Sequence, residues 1–192
     1  MRVEQLKERL GDKITIEWRS FLLRTEPKTT SQEKFVEYTN SWQRCAASAP
    51  EANFTTPWAS DNPGPSSSLP AQIAWKASAN FGAEAQEKLH AALLRAYFTD
   101  NRNISDWDVL ADIAEETGLD RTDFTAFLEA NREYLASWVI DEHNSAIQNG
   151  IQAVPTVVIA DVLPVPGAQD VDTYERLINK LIARRDEGLL ES

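Results

Sequence analysis

Apolar positions along the chain change period twice. Val3, Leu6 and Leu10 recur at three- and four-residue spacing, one face of a short helix that Gly11 and Asp12 end. Ile14, Ile16 and Trp18 then alternate with Thr15, Glu17 and Arg19, which predicts a strand over residues 14–21, extended by Leu22 and Leu23 and closed by Pro27. Helical spacing follows as far as Gly150. Thr30 and Glu33 stand at capping-box spacing, and Phe35, Tyr38, Trp42 and Cys45 share one face. Residues 50–68 read as a proline- and serine-rich loop carrying Phe54 and Trp58. Leu69 and Pro70 open a helix with Ile73, Ala77 and Phe81 inside, and Ala85, Leu89, Ala92, Leu93 and Ala96 mark the next. Ser105 and Asp108 read as the cap of a helix burying Val109, Leu110, Ile113 and Ala114, which Gly118 stops. Asp120 and Asp123 open another with Phe124, Phe127 and Leu128, and a separate one carries Leu135, Trp138, Val139, Glu142 and Ala146.

After Gly150 the period shortens again. Val157, Val158 and Ile159 form a β-branched run, Asp161 is a turn residue, and residues 162–165 give a second short strand that Pro166 and Gly167 break. Asp170 and Thr173 open a final helix with Val171, Tyr174, Leu177, Ile178 and Leu181 on one face, and Arg184 and Arg185 at its end suit the helix dipole. One strand, a long helical block, two strands and a helix make an α/β domain over residues 1–26 and 151–192, with an all-helical insertion over 27–150.

Composition narrows the function. The longest apolar run, residues 151–160, is too short to span a bilayer, and the charged N-terminus lacks the apolar core of a leader, so a cytoplasmic protein is expected. A net charge of -11 repels phosphate backbones, so no nucleic-acid partner is expected. Neither a metal site nor a cofactor is expected, because His90 and His143 stand far apart without ligand neighbours. The single cysteine, Cys45, excludes an intrachain disulfide and reads as a small buried core residue beside Trp42 and Phe35. His90 and His143 read as surface helix residues, Trp18, Trp75, Trp107 and Trp138 as core or half-buried packing, and the Trp58 loop as either a lid or a loosely held surface segment.

The run Ala153-Val154-Pro155-Thr156-Val157-Val158-Ile159, followed by Pro166-Gly167-Ala168-Gln169 and an amphipathic helix, resembles the C-terminal half of DsbA-like thioredoxin-fold proteins, and most closely their FrnE-like branch. Ala153 stands where that branch has Gly, and Pro166 where it has Ser. Arg95-Ala96-Tyr97-Phe98-Thr99-Asp100, Ile104-Ser105-Asp106 and the stretch from Val109 to Asp120 look like its helical insertion, and Glu17-Trp18-Arg19-Ser20-Phe21-Leu22-Leu23 is similar to its second strand.

The resemblance implies a thioredoxin-like fold with the first strand missing and a cis bond before Pro155. It implies a substrate-binding surface at Val154, Pro155, Thr156, Ala168 and Gln169, with no catalytic residue present. Family members carry a Cys-x-x-Cys pair, where a helix N-terminus favours the thiolate, and this pair is absent here. The expectation is therefore that Met1 is internal to a longer chain whose first strand and cysteine pair precede it. The implied partners are thiol or disulfide peptides and proteins, or glutathione. The implied activity is dithiol–disulfide exchange, which the chain as given would lack. Two other readings stay open: a glutathione-dependent isomerase or transferase of the kappa-like branch, related to 2-hydroxychromene-2-carboxylate isomerase, and a redox-dead peptide-binding module.

Overall fold

A computed structural model describes residues 2–188 of the 192. Among them the order is α1 (Arg2–Leu10), α2 (Gln32–Asn40), α3 (Gln43–Ser48), α4 (Leu69–Ser78), α5 (Ala83–Phe98), α6 (Trp107–Glu116), α7 (Arg121–Gln148), β1 (Thr156–Ile159), β2 (Leu163–Pro166) and α8 (Val171–Asp186). Short 3-10 turns follow α1, α3 and α4. The chain divides into two compact units, one of residues 1–19 and 144–192, the other of residues 20–143.

In the first unit, β1 and β2 form a two-stranded antiparallel sheet in which Thr156 faces Pro166, Val157 faces Val165, Val158 faces Pro164 and Ile159 faces Leu163. Strand side chains alternate between faces, so Ile159 and Val165 turn inward and join Leu6 and Leu10 of α1 and Val171, Tyr174 and Ile178 of α8 in one core. The helical partners recur at i, i+3, i+4 and i+7, the stripe that a helix lays on a sheet. Arg9 fastens the rim, donating to Asp172 at 2.5 Å and Glu175 at 3.2 Å. The Asp170 carboxylate caps α8 by accepting from the Thr173 N–H at 2.7 Å, and this bond holds its carboxyl below the usual range.

The expected strand at residues 14–21 does not form among the described residues. The segment is extended at Ile14, with φ -133 and ψ 147, yet no ladder joins it to another strand. An alternating pattern supplies faces but no partner, and without one the backbone stays outside any sheet.

The second unit holds two cores. The larger gathers Leu22 with Ile73, Ala74 and Ala77 of α4, Leu89 and Leu93 of α5, Leu110 and Ile113 of α6, and Phe124, Leu128, Leu135 and Val139 of α7. α7 runs unbroken for 28 residues, where the sequence suggested two helices. The polar stretch around Ala130 to Tyr134 contains neither Gly nor Pro, so nothing interrupts the hydrogen-bond ladder.

The smaller core is aromatic. Phe35, Trp42 and Trp58 are buried among Phe54, Tyr97 and Phe98, with ring centroids 5.0 Å apart for Phe35–Trp58 and for Trp42–Phe98. Trp58 is thus neither lid nor loose loop: it is 3% exposed, and its N–H donates to the buried Thr39 Oγ1 at 2.8 Å. Its indole N–H reaches the Asn62 carbonyl at 3.0 Å, and Asn101 Oδ1 accepts from the Ala59 N–H at 2.7 Å. Burial among these rings drives the Tyr97 phenol well above its ordinary pKa.

Local signals needed four further corrections. Ser31, not Thr30, sits at the N-cap of α2, with no side-chain cap bond, so the Thr30–Glu33 box is not made. Asp106, not Ser105, caps α6, accepting from the Asp108 and Val109 N–H groups at 2.9 and 3.3 Å. Cys45 is exposed: the helix breaks between Asn40 and Gln43, and the shifted phase turns the thiol away from the face of Phe35 and Trp42. The histidines are half-buried and engaged. The His90 ring lies tilted against Trp75, with centroids 5.8 Å apart and planes at 45°, and burial lowers its pKa. His143 accepts from the Leu22 N–H at Nδ1, 3.2 Å away.

Candidate functional site

The five residues expected to bind substrate lie together at one end of the β1–β2 hairpin. The Gly167 N–H donates to the Pro155 carbonyl at 2.8 Å, which joins Val154, Pro155 and Thr156 to the turn of Gly167, Ala168 and Gln169. The Val154–Pro155 bond is cis. A second cis bond, Thr56–Pro57, carried no sequence signal beyond the proline itself.

The Pro155–Gly167 bond also fixes the parity of the ladder. In an antiparallel pair, hydrogen-bonded and non-hydrogen-bonded pairs alternate. Val157–Val165 and Ile159–Leu163 are therefore the bonded pairs, while Thr156–Pro166 and Val158–Pro164 are not. On β2 the outward positions are both proline, so this edge offers no N–H to a further strand. On β1 the outward positions are Thr156 and Val158, and both keep an N–H and a C=O directed away from β2. The two edges differ in kind: one is blocked and the other can accept an extended chain.

The exposed surface along that edge is apolar. Val154 is 43% exposed and Val158 45%, and Pro155 is also exposed. Thr156 Oγ1 donates to the Ala153 carbonyl at 2.7 Å, which holds the residues before the cis bond in a tight turn.

The Gly167 turn is internally bonded. Gly167 takes φ +77, a conformation that glycine adopts without cost. The Gln169 N–H donates to the Gly167 carbonyl at 3.1 Å and to the Tyr174 hydroxyl at 3.3 Å, and Tyr174 in turn donates to the Gly167 carbonyl at 3.0 Å. Gln169 Nε2 donates to the Pro166 carbonyl at 2.9 Å. The Arg2 guanidinium donates to the carbonyls of Ala168 at 2.8 Å and Gln169 at 3.3 Å, placing a positive group beside the turn. Arg2 is a contributor that the sequence reading missed, because a residue at the start of the chain gives no local sign of contact with residue 168.

None of these side chains is a thiol. The one cysteine belongs to the other unit, on the exposed side of α3. The arrangement can hold an extended chain by backbone hydrogen bonds and apolar contact, and it contains no dithiol.

A family model described as a DSBA-like thioredoxin domain matches residues 1–179. The chain belongs to that family. Among solved structures, this DsbA-like domain is similar to a candidate protein disulfide isomerase from Nitrosomonas europaea, with a TM-score of 0.77, 15% identity, and coverage of 95% of this chain and 88% of that one. It is similar to the cytosolic disulfide reductase DsbM from Pseudomonas aeruginosa with GSH, at TM-score 0.68 and 17% identity over 98% and 90% of the two chains. It is also similar to a 2-hydroxychromene-2-carboxylate isomerase, at TM-score 0.63 and 18% identity over 99% and 91%. At these identities the likeness shows the fold alone. A curated relative, the uncharacterized protein YwbO of Bacillus subtilis (strain 168), is 36% identical over 92 residues, 45% of this chain. Those residues are 42% of YwbO, so the matched chain spans less than half the length of that relative. No helix among the described residues is long and apolar enough to cross a membrane.

Proposed function

We propose that this chain is a FrnE-like, DsbA-family thiol–disulfide oxidoreductase domain whose residues here form the substrate-binding half of the site. The thioredoxin-like part is read over residues 1–26 and 151–192 and the helical insertion over 27–150. The carrying observation is the open edge of β1 beside the Val154–Pro155 bond, opposite a proline-blocked β2. An extended thiol or disulfide peptide, or glutathione, pairs with the backbone of Val154, Thr156 and Val158 as an added strand. Pro155 supports it, Ala168 and Gln169 flank it, and the Arg2 guanidinium favours a carboxylate at that end. The place of action is the cytoplasm.

Disulfide exchange proceeds by thiolate attack and a mixed disulfide, and needs a cysteine pair that these 192 residues do not contain. They bind substrate without turnover. The test is a titration of the 192-residue protein with oxidised glutathione and with an extended cysteine peptide, followed by amide NMR. Shifts confined to residues 154–158 and 167–169 are expected, and Val158→Pro, which removes an outward N–H as Pro164 does on the other edge, abolishes them. Binding unchanged in Val158→Pro, or turnover by the wild-type chain, would overturn the reading.

The second reading is a glutathione-dependent isomerase or transferase of the kappa-like branch, favoured by the fold likeness to the chromene-carboxylate isomerase. Binding of glutathione but not of the cysteine peptide would select it. The third is a redox-dead peptide module, which binding of cysteine-free extended peptides with equal strength would select.

A further inference from the structure

Residues 20–22 cross the end of α7 without a sheet ladder of their own. Two neighbouring side chains of α7 take the place of that ladder. Glu142 Oε2 accepts from the Ser20 N–H at 2.6 Å, and His143 Nδ1 accepts from the Leu22 N–H at 3.2 Å. Phe21 lies edge-on against the His143 ring, with centroids 4.9 Å apart and planes at 74°. Ser20 and Leu22 are buried, at 1% and 5% exposure, so water cannot replace either bond.

The two anchors differ in how they respond to acid. Glu142 is locked by Lys76, whose ammonium donates to Oε1 at 2.6 Å and lies between the rings of Trp75 and Trp138, 4.5 and 4.4 Å from their centroids. Burial alone pushes the Glu142 carboxyl up, but the Lys76 ammonium and the Ser20 N–H outweigh it and hold it below the ordinary value. His143 has a different role. To accept from Leu22, Nδ1 must carry its lone pair and the ring proton must sit on Nε2.

We infer that His143 and Glu142 form a two-stage acid-sensitive latch on residues 20–22, in which proton uptake at His143 Nδ1 frees the Leu22 backbone while Glu142 still holds Ser20. A protonated Nδ1 presents N–H to N–H across 3.2 Å, and the edge-on Phe21 ring resists a ring flip that would remove the conflict. Glu142 stays paired with the buried Lys76 ammonium, which favours its charged form and so keeps the Ser20 bond. Glu142 and Lys76 are paired with each other, Asp141 on the same helix is exposed, and residues 20–22 are neutral. Arg24, next along, is held elsewhere by the Pro65 carbonyl and the Phe35 ring. The opening is bounded on the far side, because the Arg24 N–H remains bonded to Ser68 Oγ at 3.1 Å.

The test uses the full chain and reads two things over one pH series: the His143 ring resonances, and amide-exchange protection relative to unstructured peptide at the same pH. Leu22 protection is expected to fall by about tenfold, one hydrogen bond's worth, as the ring titrates, with Ser20 protection unchanged. His143→Asn keeps an acceptor near the Nδ1 position without a titrating group, and Leu22 protection should then stay level. Leu22 protection that is constant through the His143 titration, or Ser20 and Leu22 lost together, would overturn the latch, and so would the same loss in His143→Asn.

Discussion

Lys76 carries its charge on a side chain only 3% exposed, against a Glu142 side chain 9% exposed. Removing one member leaves the other as an unpaired buried charge, so Lys76→Met should cost about 3–5 kcal/mol in urea unfolding. The pH dependence has a definite sign. Glu142 has a folded-state carboxyl below its ordinary value, so its contribution is complete above the ordinary carboxylate range and is lost as pH falls through and below it. Glu142→Gln should therefore lose stability at neutral pH and show a shallower acid limb than wild type in denaturation at successive pH values. A second residue-level test concerns shape. A Cβ on Gly64 would lie 2.4 Å from the Phe35 ring, which is itself 1% exposed and cannot retreat. Gly64→Ala should destabilise by about 1–3 kcal/mol through overpacking of the aromatic core.

At the scale of elements, the hairpin turn and the helix caps decide local stability. Ala160 and Asp161 take φ +52 and +57, and the Val162 N–H closes the turn on the Ile159 carbonyl at 3.2 Å. Neighbouring left-handed positions favour Asn and Gly, so the double change Ala160→Asn, Asp161→Gly should raise stability by about 1 kcal/mol, read as a later midpoint in urea. For α6, Asp106→Ala should cost about 1 kcal/mol, because two N–H groups lose their acceptor. Ser105, at the position that the sequence favoured, serves the loop instead: its hydroxyl donates to Asn103 Oδ1 at 2.7 Å and accepts from the Ser66 N–H at 3.0 Å. Asp106 was overlooked because Ser105 and Asp108 offer the same spacing one residue apart, and spacing alone does not fix where the helix begins.

At the scale of the whole molecule, the two edges of the two-stranded sheet differ in kind. Pro164 and Pro166 close the β2 edge, while Thr156 and Val158 leave β1 able to accept an extended chain. Pro164→Val should therefore leave glutathione or peptide binding unchanged where Val158→Pro removes it, a contrast that amide NMR reads directly. Neither variant touches a hydrogen-bonded pair of the ladder, so far-UV circular dichroism should match wild type in both.

The sequence by itself determined the helices from α4 to α6, the hairpin strands and the Asp170 cap, while the grouping of Val154, Pro155 and Thr156 with Ala168 and Gln169 came from the family resemblance alone. For the elements and the cap, a periodic stripe, a breaker or a capping residue is written within a few residues of the place it acts. Tertiary structure decided the rest. Residues 14–21 alternate like a strand, but a ladder needs a partner that no local pattern supplies. Cys45 left the core because the chain breaks between α2 and α3, and a shift in helical phase is invisible to spacing counted across the break. Trp58 became the centre of a core, and His143 and Glu142 became acceptors for residues 20–22, through contacts between positions far apart in sequence. Local periodicity fixes which face of an element is apolar, and only packing decides what that face, or an unpaired backbone beside it, meets.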